Sequence, residues 1–410
     1  MKFSAVFAAV ATLLAIPLAV ADAPVKNEGI SAEVVIPDKY IVKYKDNADP
    51  TKKKKHEQDV TAKAKKSKKG GVVENIDIDG LSGYVAEIPS SELKDLTSSP
   101  LVEYVEKDAV VNHTAVAAEP LSPEKRALVT QANAQWGLGR ISHRGRGNSG
   151  YTYDTTAGLG VRVYVIDTGV KTTHADFGGR AVWGANFVGG LNTDEYGHGT
   201  HVAATIAGTT YGVAKRATIV AVKVLDKNGV GSISGVIAGI NWAVKDAKNR
   251  GVAKKAVINM SLGGGTSSAL NAAVAAATNA GLTVVVAAGN NNGDASGISP
   301  ASAPSAITVA AVEGTDYRAW FSNFGARVDL FAPGVSILSA YIGSNSATAY
   351  LSGTSMAAPH VAGLAAYFIA KEGLSGSTAV TNRILSAASV NYVSDVKGSP
   401  NRLAYNANGL

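Results

Sequence analysis

The sequence contains no cysteine among its 410 residues. Disulfide bonds therefore cannot stabilise the fold, and redox chemistry through thiols is excluded. Charged residues make up only 17% of the chain and aromatic residues 7%, whereas hydrophobic residues reach 46%. This composition is typical of a globular protein, and the length exceeds one typical domain of about 100 to 200 residues. Stability must come from a sizeable core and its hydrogen bonds.

Long hydrophobic runs are also scarce, and only the N-terminus has one that approaches the length of a membrane span. Lys2 is followed by FSAVFAAVATLLAIPLAVA, which ends in small residues before the polar DAPVKNEG. This order is typical of a secretory signal peptide. A membrane anchor is the weaker alternative, because Pro17 interrupts a run that lies near the lower limit of about 17 residues for a span. We expect residues 1–21 to be cleaved and the protein to be secreted, without a membrane segment.

Charge is distributed unevenly. Residues 1–126 hold 18 Lys and Arg against 19 Asp and Glu, whereas residues 127–410 hold 21 against 13. A basic surplus favours acidic surfaces, but the basic residues are scattered and no recognition motif accompanies them, so we expect no nucleic-acid partner. The dense run KKKKHEQDVTAKAKKSKK, residues 52–69, is expected to be a solvated helical face.

Residues 38–114 are expected to form a small α+β unit. KYIVKYK, GYVAEIP and VEYVEKD alternate like strands, and the lysine-rich run between them has a helical composition. The following AVAAEPLSPEKRALVTQANAQWG contains two prolines and the pair Lys125-Arg126, and it is typical of an exposed linker that proteases cut.

From about Gly160 the pattern changes to short apolar runs between alanine-rich helical stretches. The runs are VRVYVI, TIVAVKV, KAVINMSL, LTVVVAA and AITVAAV. Such strands predict an α/β fold with a doubly wound, mostly parallel sheet flanked by helices. Functional sites in these sheets gather at the carboxyl ends of the strands.

Four polar residues stand at predicted strand ends or helix starts. Asp167 follows VRVYVI, His198 lies between glycines in GHGTHVAATIAG, Asn290 follows VVVAAG, and Ser355 precedes an apolar helical run. Each has an ordinary alternative: a turn cap for the Asp and the Asn, a helix N-cap for the Ser, and an i,i+3 metal pair for the first histidine. No Glu or Cys cluster completes a metal site, so His201 is interpreted as structural.

The four residues together supply a nucleophile, a base, an orienting carboxylate and an oxyanion donor. Ser355 at a helix start would have unpaired N–H groups and the positive end of the helix dipole nearby. Pro359 favours a helix start close to Ser355, because proline is tolerated in the first turn.

The blocks DTG at Asp167, GHGTH at residues 197–201 and GTSMAAPH at residues 353–360 resemble, in this order, the signature blocks of the subtilisin-like serine proteases. WGLGRISH, INMSLGGG, AAGNNN, SPASAPS and FSNFG resemble the secreted fungal branch that includes proteinase K and the oryzin-type alkaline proteases. The resemblance runs from about Trp136 to the C-terminus. The N-terminal unit resembles the inhibitory propeptide of that family.

The resemblance implies a secreted serine endopeptidase that is made as a precursor, acts as a monomer on proteins and peptides, and has its own propeptide as inhibitor. Ser355 would attack the peptide carbonyl, His198 would transfer the proton, Asp167 would hold the imidazole, and Asn290 would bind the oxyanion. The implied organisation is a signal peptide at 1–21, a propeptide with its linker at 22–126 and a catalytic domain at 127–410. Cleavage after Arg126 and self-cleavage nearer Thr114 with later trimming both stay open.

The resemblance also implies substrate and metal contacts. The walls of the primary pocket and the edge that pairs with substrate would be formed by Gly229, Val230, Gly231, Ser261, Leu262, Gly263, Ala287 and Gly289. These blocks contain no charge, so we expect a preference for large apolar residues before the cut, with broad specificity otherwise. No cofactor is implied for the chemistry, but a structural calcium ion would be bound by the carbonyls of Pro304 and Ala306 and the carboxylate of Asp329. A loop hydrogen bond is the alternative for Asp329.

Two other classes of protein agree less well with the sequence. An esterase of the α/β-hydrolase type carries G-x-S-x-G and the order Ser, Asp, His, whereas Gly353-Thr354-Ser355-Met356-Ala357 breaks that motif and the order here is reversed. A degenerate protease retained as a binding module would lack part of the constellation, and all four positions are filled. Of the two N-glycosylation motifs, at Asn112 and Asn259, the second falls on a predicted buried strand and is expected to be unused.

Overall fold

The computed structural model describes residues 22–78, 80–113, 116–117 and 130–408. The expected signal peptide, Thr114 and the pair Lys125-Arg126 lie outside these residues. Within the described ranges, no helix combines the length and the apolar character that crossing a membrane requires.

An antiparallel sheet with two helices forms an N-terminal unit. Its elements are β1 (Val25–Lys26), β2 (Val35–Tyr44), α1 (Pro50–Lys66), β3 (Gly71–Ile78), β4 (Leu81–Glu87), α2 (Leu93–Thr97) and β5 (Val102–His113). The strand order is β5-β2-β4-β3, and β1 pairs with β5. The side chain of Asp49 caps α1 by accepting from the Lys52 N–H. Val60 and Ala64 are the buried residues of α1, and its lysines are exposed as expected except Lys53, which is half-buried and donates to the Ser82 Oγ. The predicted strands are confirmed, and β3 is an addition.

The larger C-terminal unit is built on a mostly parallel sheet. Its strands are β7 (Arg162–Asp167), β8 (Ala181–Asn186), β9 (Thr218–Lys223), β11 (Ala256–Met260), β13 (Thr283–Ala287), β15 (Ile307–Val312), β16 (Leu330–Pro333), β19 (Ser389–Val390) and β20 (Arg402–Leu403). Their order is β19-β20-β16-β15-β13-β11-β7-β9-β8. Neighbours are parallel except β19 and β20 at one edge. All five apolar runs of the C-terminal half form strands of this sheet.

Helices cover both faces of the sheet. They are α3 (Trp136–Ser142), α4 (His198–Ala207), α5 (Ile233–Asn249), α6 (Ser268–Asn279), α7 (Thr354–Glu372) and α8 (Ser377–Ala387). Val163 and Val165 of β7 pack in a core with residues of α4 and α7. Tyr164 and Ile166, which point to the opposite face, pack with α5 and α6. The predicted doubly wound α/β fold is confirmed.

Short strands at the carboxyl edge connect the two units. They are β6 (Val116–Ala117), β10 (Val230–Ser232), β12 (Leu262–Gly265), β14 (Ile298–Ser299), β17 (Ile337–Ala340) and β18 (Thr348–Ser352). β5 pairs antiparallel with both β10 and β12, and β6 pairs antiparallel with β18. The last residues of the N-terminal unit therefore run across the edge of the sheet where the four polar residues were predicted.

Candidate active site

Asp167 and His198 meet at the carboxyl edge of the sheet. The His198 Nδ1 lies 2.7 Å from the Asp167 Oδ1, and both side chains are almost fully buried. The same oxygen accepts from the Thr168 N–H at 2.7 Å, which fixes the carboxylate at the end of β7. Because Nδ1 faces the carboxylate, Nε2 is directed the other way, and within the described part of the chain it has no hydrogen-bond partner. This arrangement holds one tautomer of the imidazole.

Gly197 allows α4 to begin at His198. Its φ is 104°, a conformation that favours glycine, and an added Cβ would lie 2.4 Å from the ring of Tyr341. The glycine before His198 therefore permits the close approach of Tyr341.

Ser355 is the second residue of α7. Its Oγ donates to the Ser261 carbonyl at 3.1 Å, and its own carbonyl accepts from the Ser261 Oγ at 2.9 Å. The Asn259 side chain donates to the Ser261 Oγ at 3.0 Å. Asn259 is fully buried, which agrees with the expectation that its glycosylation motif is unused. Ser261 thus makes two hydrogen bonds to Ser355 and does not line the cavity described below.

Asn290 is oriented by Thr354. The Asn290 Oδ1 accepts from both the N–H and the Oγ1 of Thr354, each at 2.9 Å. Because the side-chain oxygen is committed to these bonds, Nδ2 is the atom that can donate toward the cleft beside Ser355. Thr354 was not predicted from the sequence; its place next to Ser355 was the available signal.

The end of β5 lies in the cleft as an extended strand. Asn112 pairs with Val230 and Gly263, and His113 pairs with Leu262. The His113 N–H donates to the Gly229 carbonyl at 3.2 Å. The predicted substrate-pairing residues of β10 and β12 therefore hold a strand of the chain itself.

A cavity opens beside this strand. The described residues that line it include Gly263, Gly264, Gly265, Asn290, Asn291, Gly293, Asp294, Gly297, Ile298 and Asn323. The expectation for Ala287 differs from the structure, because its side chain is buried in the core below the sheet edge. Gly289 does not line the cavity itself but packs against Asn323, which does; an added Cβ at Gly289 would lie 2.6 Å from the Asn323 Nδ2. The exposed carboxylate of Asp294 was also not expected, because the sequence segments predicted to form the pocket contain no charged residue.

Asp194 is a buried residue of the site that the sequence analysis missed. Its carboxylate accepts from Thr168 Oγ1 at 2.9 Å and from the N–H groups of Tyr196, Gly197 and Thr200, and it also accepts from Thr200 Oγ1 at 2.6 Å. Burial raises the pKa of this carboxyl, while the hydrogen bonds act in the opposite direction. Asp194 therefore joins the end of β7 to the start of α4. A short acidic residue four positions before His198 was the only sequence signal.

Two carboxylates of β5 reach helix starts of the larger unit. Asp108 accepts from the Ser234 N–H at 3.0 Å and from the Ser234 Oγ at 2.6 Å, at the first turn of α5. Glu106 accepts from the Ser267 Oγ and, at 3.1 Å, from the Ala269 N–H at the first turn of α6. These hydrogen bonds to the first turns of α5 and α6 connect the N-terminal unit to the larger one.

The residues of the implied calcium site lie near the start of β15. The Asp329 Oδ2 accepts from the Thr308 N–H at 2.8 Å, as in the loop hydrogen-bond alternative. Burial raises the pKa of Asp329, although Arg327 and Arg402 favour its charged form. No group of three or more His, Cys, Asp or Glu that could hold a metal ion occurs among the described residues. One buried carboxylate beside main-chain carbonyls fits the oxygen preference of calcium but supplies few charged ligands.

Two parts of the chain match known protein families. Residues 158–405 match the family model described as the Subtilase family, and residues 39–114 match the model described as Peptidase inhibitor I9. The chain belongs to the subtilase family: it is a serine endopeptidase of the Asp-His-Ser type with an inhibitory propeptide domain.

Relatives of the chain include fungal proteases. The chain is 47% identical to Subtilisin-like protease 2 of Pseudogymnoascus destructans, with 100% of both chains covered. It is 46% identical to Alkaline protease 1 of Aspergillus oryzae, covering 95% of this chain and 96% of the relative. A solved structure described as a cold adapted subtilisin-like serine proteinase is 46% identical, with a TM-score of 0.63, and the match covers 67% of this chain and 98% of the other.

Proposed function

We propose that Ser355 is the nucleophile of this endopeptidase, His198 its general base and Asp167 the residue that holds the imidazole. In the reaction, the Ser355 Oγ turns from the Ser261 carbonyl and bonds to the substrate carbonyl carbon, while the His198 Nε2 takes its proton. The oxyanion accepts from Asn290 Nδ2 and the Ser355 N–H. His198 then gives the proton to the leaving amine, and a water molecule hydrolyses the acyl-enzyme. The main support for this proposal is the hydrogen bond of 2.7 Å between the His198 Nδ1 and the Asp167 Oδ1, which lies beside the end of β5 in the cleft.

Kinetics of single variants test the assignment. Ser355→Ala and His198→Ala are expected to lower kcat by about 10⁶-fold, and Asn290→Ala by about 10² to 10³-fold with little change in KM. Ser344→Ala, at an exposed serine, is the matched control. Full activity of Ser355→Ala would refute the assignment.

For specificity, we propose broad cleavage of extended chains with a preference for large apolar residues before the cut. Main-chain pairing with β10 and β12 is independent of side chains, which supports breadth. The glycines and Ile298 of the cavity support the apolar preference. A peptide library profiled with the mature enzyme tests it. A profile dominated by Lys or Arg would contradict it, and would indicate Asp294 as the carboxylate that recognises them.

For maturation, we propose secretion with loss of residues 1–21, a propeptide at 22–126 and a monomeric mature enzyme at 127–410. The first cut is proposed between His113 and Val116, since β5 lies in the cleft up to His113 and β6 pairs with β18, which ends three residues before Ser355. Trimming to Arg126 follows. N-terminal sequencing of the early and final products tests the order, and size-exclusion chromatography with light scattering tests the monomer.

We further propose one structural calcium ion at Asp329, Pro304 and Ala306. Thermal unfolding with calcium and with EDTA tests this ion. A melting temperature lowered by EDTA in the parent and unaffected by EDTA in Asp329→Asn supports it. Equal melting temperatures of the parent in both conditions would refute it.

A further inference from the structure

Tyr196 forms one side of the cleft next to His198, and its main chain is held at both ends. The Tyr196 N–H donates to the Asp194 Oδ1 at 3.0 Å, and the Tyr196 carbonyl accepts from the Tyr341 hydroxyl at 3.0 Å. Gly197, the next residue, lies against the Tyr341 ring. The aromatic ring of Tyr196 is therefore presented to the cleft from a fixed backbone position.

The side chain of His113 fits between Tyr196 and His198. The His113 ring centroid lies 4.7 Å from that of Tyr196 and 5.4 Å from that of His198, at interplanar angles of 51° and 56°. These distances are typical of favourable aromatic contacts. The third side is Gly229, where φ is +75° and an added Cβ would lie 2.4 Å from the His113 Nδ1. A planar side chain is thus enclosed on three sides.

Both ring nitrogens of His113 have partners. Nε2 lies 2.9 Å from the Tyr196 hydroxyl, and Nδ1 lies 3.4 Å from the Gly229 carbonyl. A single neutral tautomer satisfies both contacts: Nδ1–H donates to the carbonyl, and Nε2 accepts from the hydroxyl. A side chain without an acceptor at the Nε2 position would leave the Tyr196 hydroxyl without this bond.

We propose that Tyr196 is a specificity-determining residue that selects, in substrates, a histidine at the position His113 occupies. The inference rests on the proposed function, because it requires substrates to bind between β10 and β12 as β5 does. A substrate strand in this register places its next residue opposite Ser261, whose carbonyl is contacted by the Ser355 Oγ. The selected histidine is therefore the second residue before the cut.

The test uses the mature enzyme and three quenched fluorescent peptides. The first copies residues 110–117, Val-Val-Asn-His-Thr-Ala-Val-Ala, and the others replace its histidine by alanine or phenylalanine. We expect kcat/KM to be about 3- to 10-fold higher for the histidine peptide than for the phenylalanine peptide, as one well-formed hydrogen bond provides. The alanine peptide, which also loses the ring contacts, should be cleaved more slowly still.

Tyr196→Phe removes the hydroxyl and keeps the ring, so the ratio of the histidine to the phenylalanine peptide should fall to about 1. Tyr317→Phe, at an exposed tyrosine, is the matched control and should keep the ratio of the parent. Tyr196→Leu should additionally remove the preference for phenylalanine over alanine.

Three results would overturn the proposal: equal cleavage of the peptides by the parent enzyme, an unchanged ratio in Tyr196→Phe, or fragment masses that place the cut elsewhere than one residue after the histidine. The failure of the underlying function is distinguishable, because an enzyme that cleaves none of the peptides and no casein is not acting as the proposed endopeptidase.

Discussion

Pro359 affects the Ser355 carbonyl because proline has no N–H to donate to it. In a regular helix the N–H of residue 359 would donate to the carbonyl of residue 355, but proline has no N–H. Pro359 lies inside α7, in its second turn, so the Ser355 carbonyl is released from the helical ladder and accepts from Ser261 instead. The proline therefore serves the contact between α7 and the end of β11, in addition to marking a nearby helix start.

Asp194 is expected to position the catalytic groups without touching substrate. Asp194→Asn keeps two polar atoms but can no longer accept every bond, so kcat should fall about 10-fold. Asp194→Ala, which leaves buried N–H groups unpaired, should cost about 1 to 3 kcal/mol of stability in addition. Hydrolysis kinetics and thermal unfolding measure the two effects.

Glu195→Gln, at the neighbouring and more exposed acid, is the control for Asp194. A purely structural role would lower the melting temperature of Asp194→Asn and leave the kcat of the folded fraction intact. That result would contradict the positioning role.

Strand β5 pairs with strands of both units and holds two buried carboxyl groups, Glu106 and Asp108. Burial raises the pKa of Glu106 and of Asp108, although the bonds to the helix starts act against it. A carboxyl whose pKa is raised in the complex favours the complex most below its ordinary pKa, and the contribution is lost as pH rises through the raised pKa. The propeptide should therefore be held more firmly at acid pH than at neutral pH.

Thermal unfolding of the Ser355→Ala precursor between pH 4 and 8 tests this dependence. Its melting temperature should fall with rising pH relative to a variant that also carries Glu106→Gln and Asp108→Asn. Asp77→Asn, at an exposed carboxylate of β3, is the control. Parallel curves for the parent and the double replacement would show that the two carboxyls do not titrate with the contact.

Part of the fold and of the site could be predicted from the sequence, and part could not. The apolar runs of β7, β9, β11, β13 and β15 were predictable because buried parallel strands are apolar on both faces. The positions of Asp167, His198, Asn290 and Ser355 near strand ends or helix starts were predictable for the same reason, because apolar strands or helices adjoin each of them. Thr354, Asp194 and Tyr196 were not, because their roles depend on contacts between segments that are distant in sequence or on side-chain orientation. Ala287 was misplaced for the same reason, since a residue at a strand end can face the core.

Across the whole catalytic unit, buried neutral histidines connect α4 and α7 to neighbouring segments through hydrogen bonds. His201 Nε2 lies 2.9 Å from the Ile337 carbonyl, which agrees with its structural interpretation. Burial lowers the pKa of His201 to about 3 and that of His360 to about 4. With pKa values below those of the unfolded chain, their contribution is complete above about pH 6.5 and is lost as pH falls through 4 and 3.

We therefore expect the free energy of unfolding to fall by about 4 kcal/mol per buried histidine between pH 6.5 and 3. Urea unfolding of the Ser355→Ala protein at several pH values measures this slope. His201→Gln should make it shallower, because the buried imidazole is then absent. An identical slope in His201→Gln would contradict the prediction.

We propose that the chain cuts itself with Ser355 where β5 leaves the cleft. The most direct measurement is the mass of the secreted product of the parent and of Ser355→Ala at early times. We predict a parent cut between His113 and Val116 and an intact Ser355→Ala precursor. A Ser355→Ala product cut at the same bond would contradict the claim, because the cut would then come from another protease.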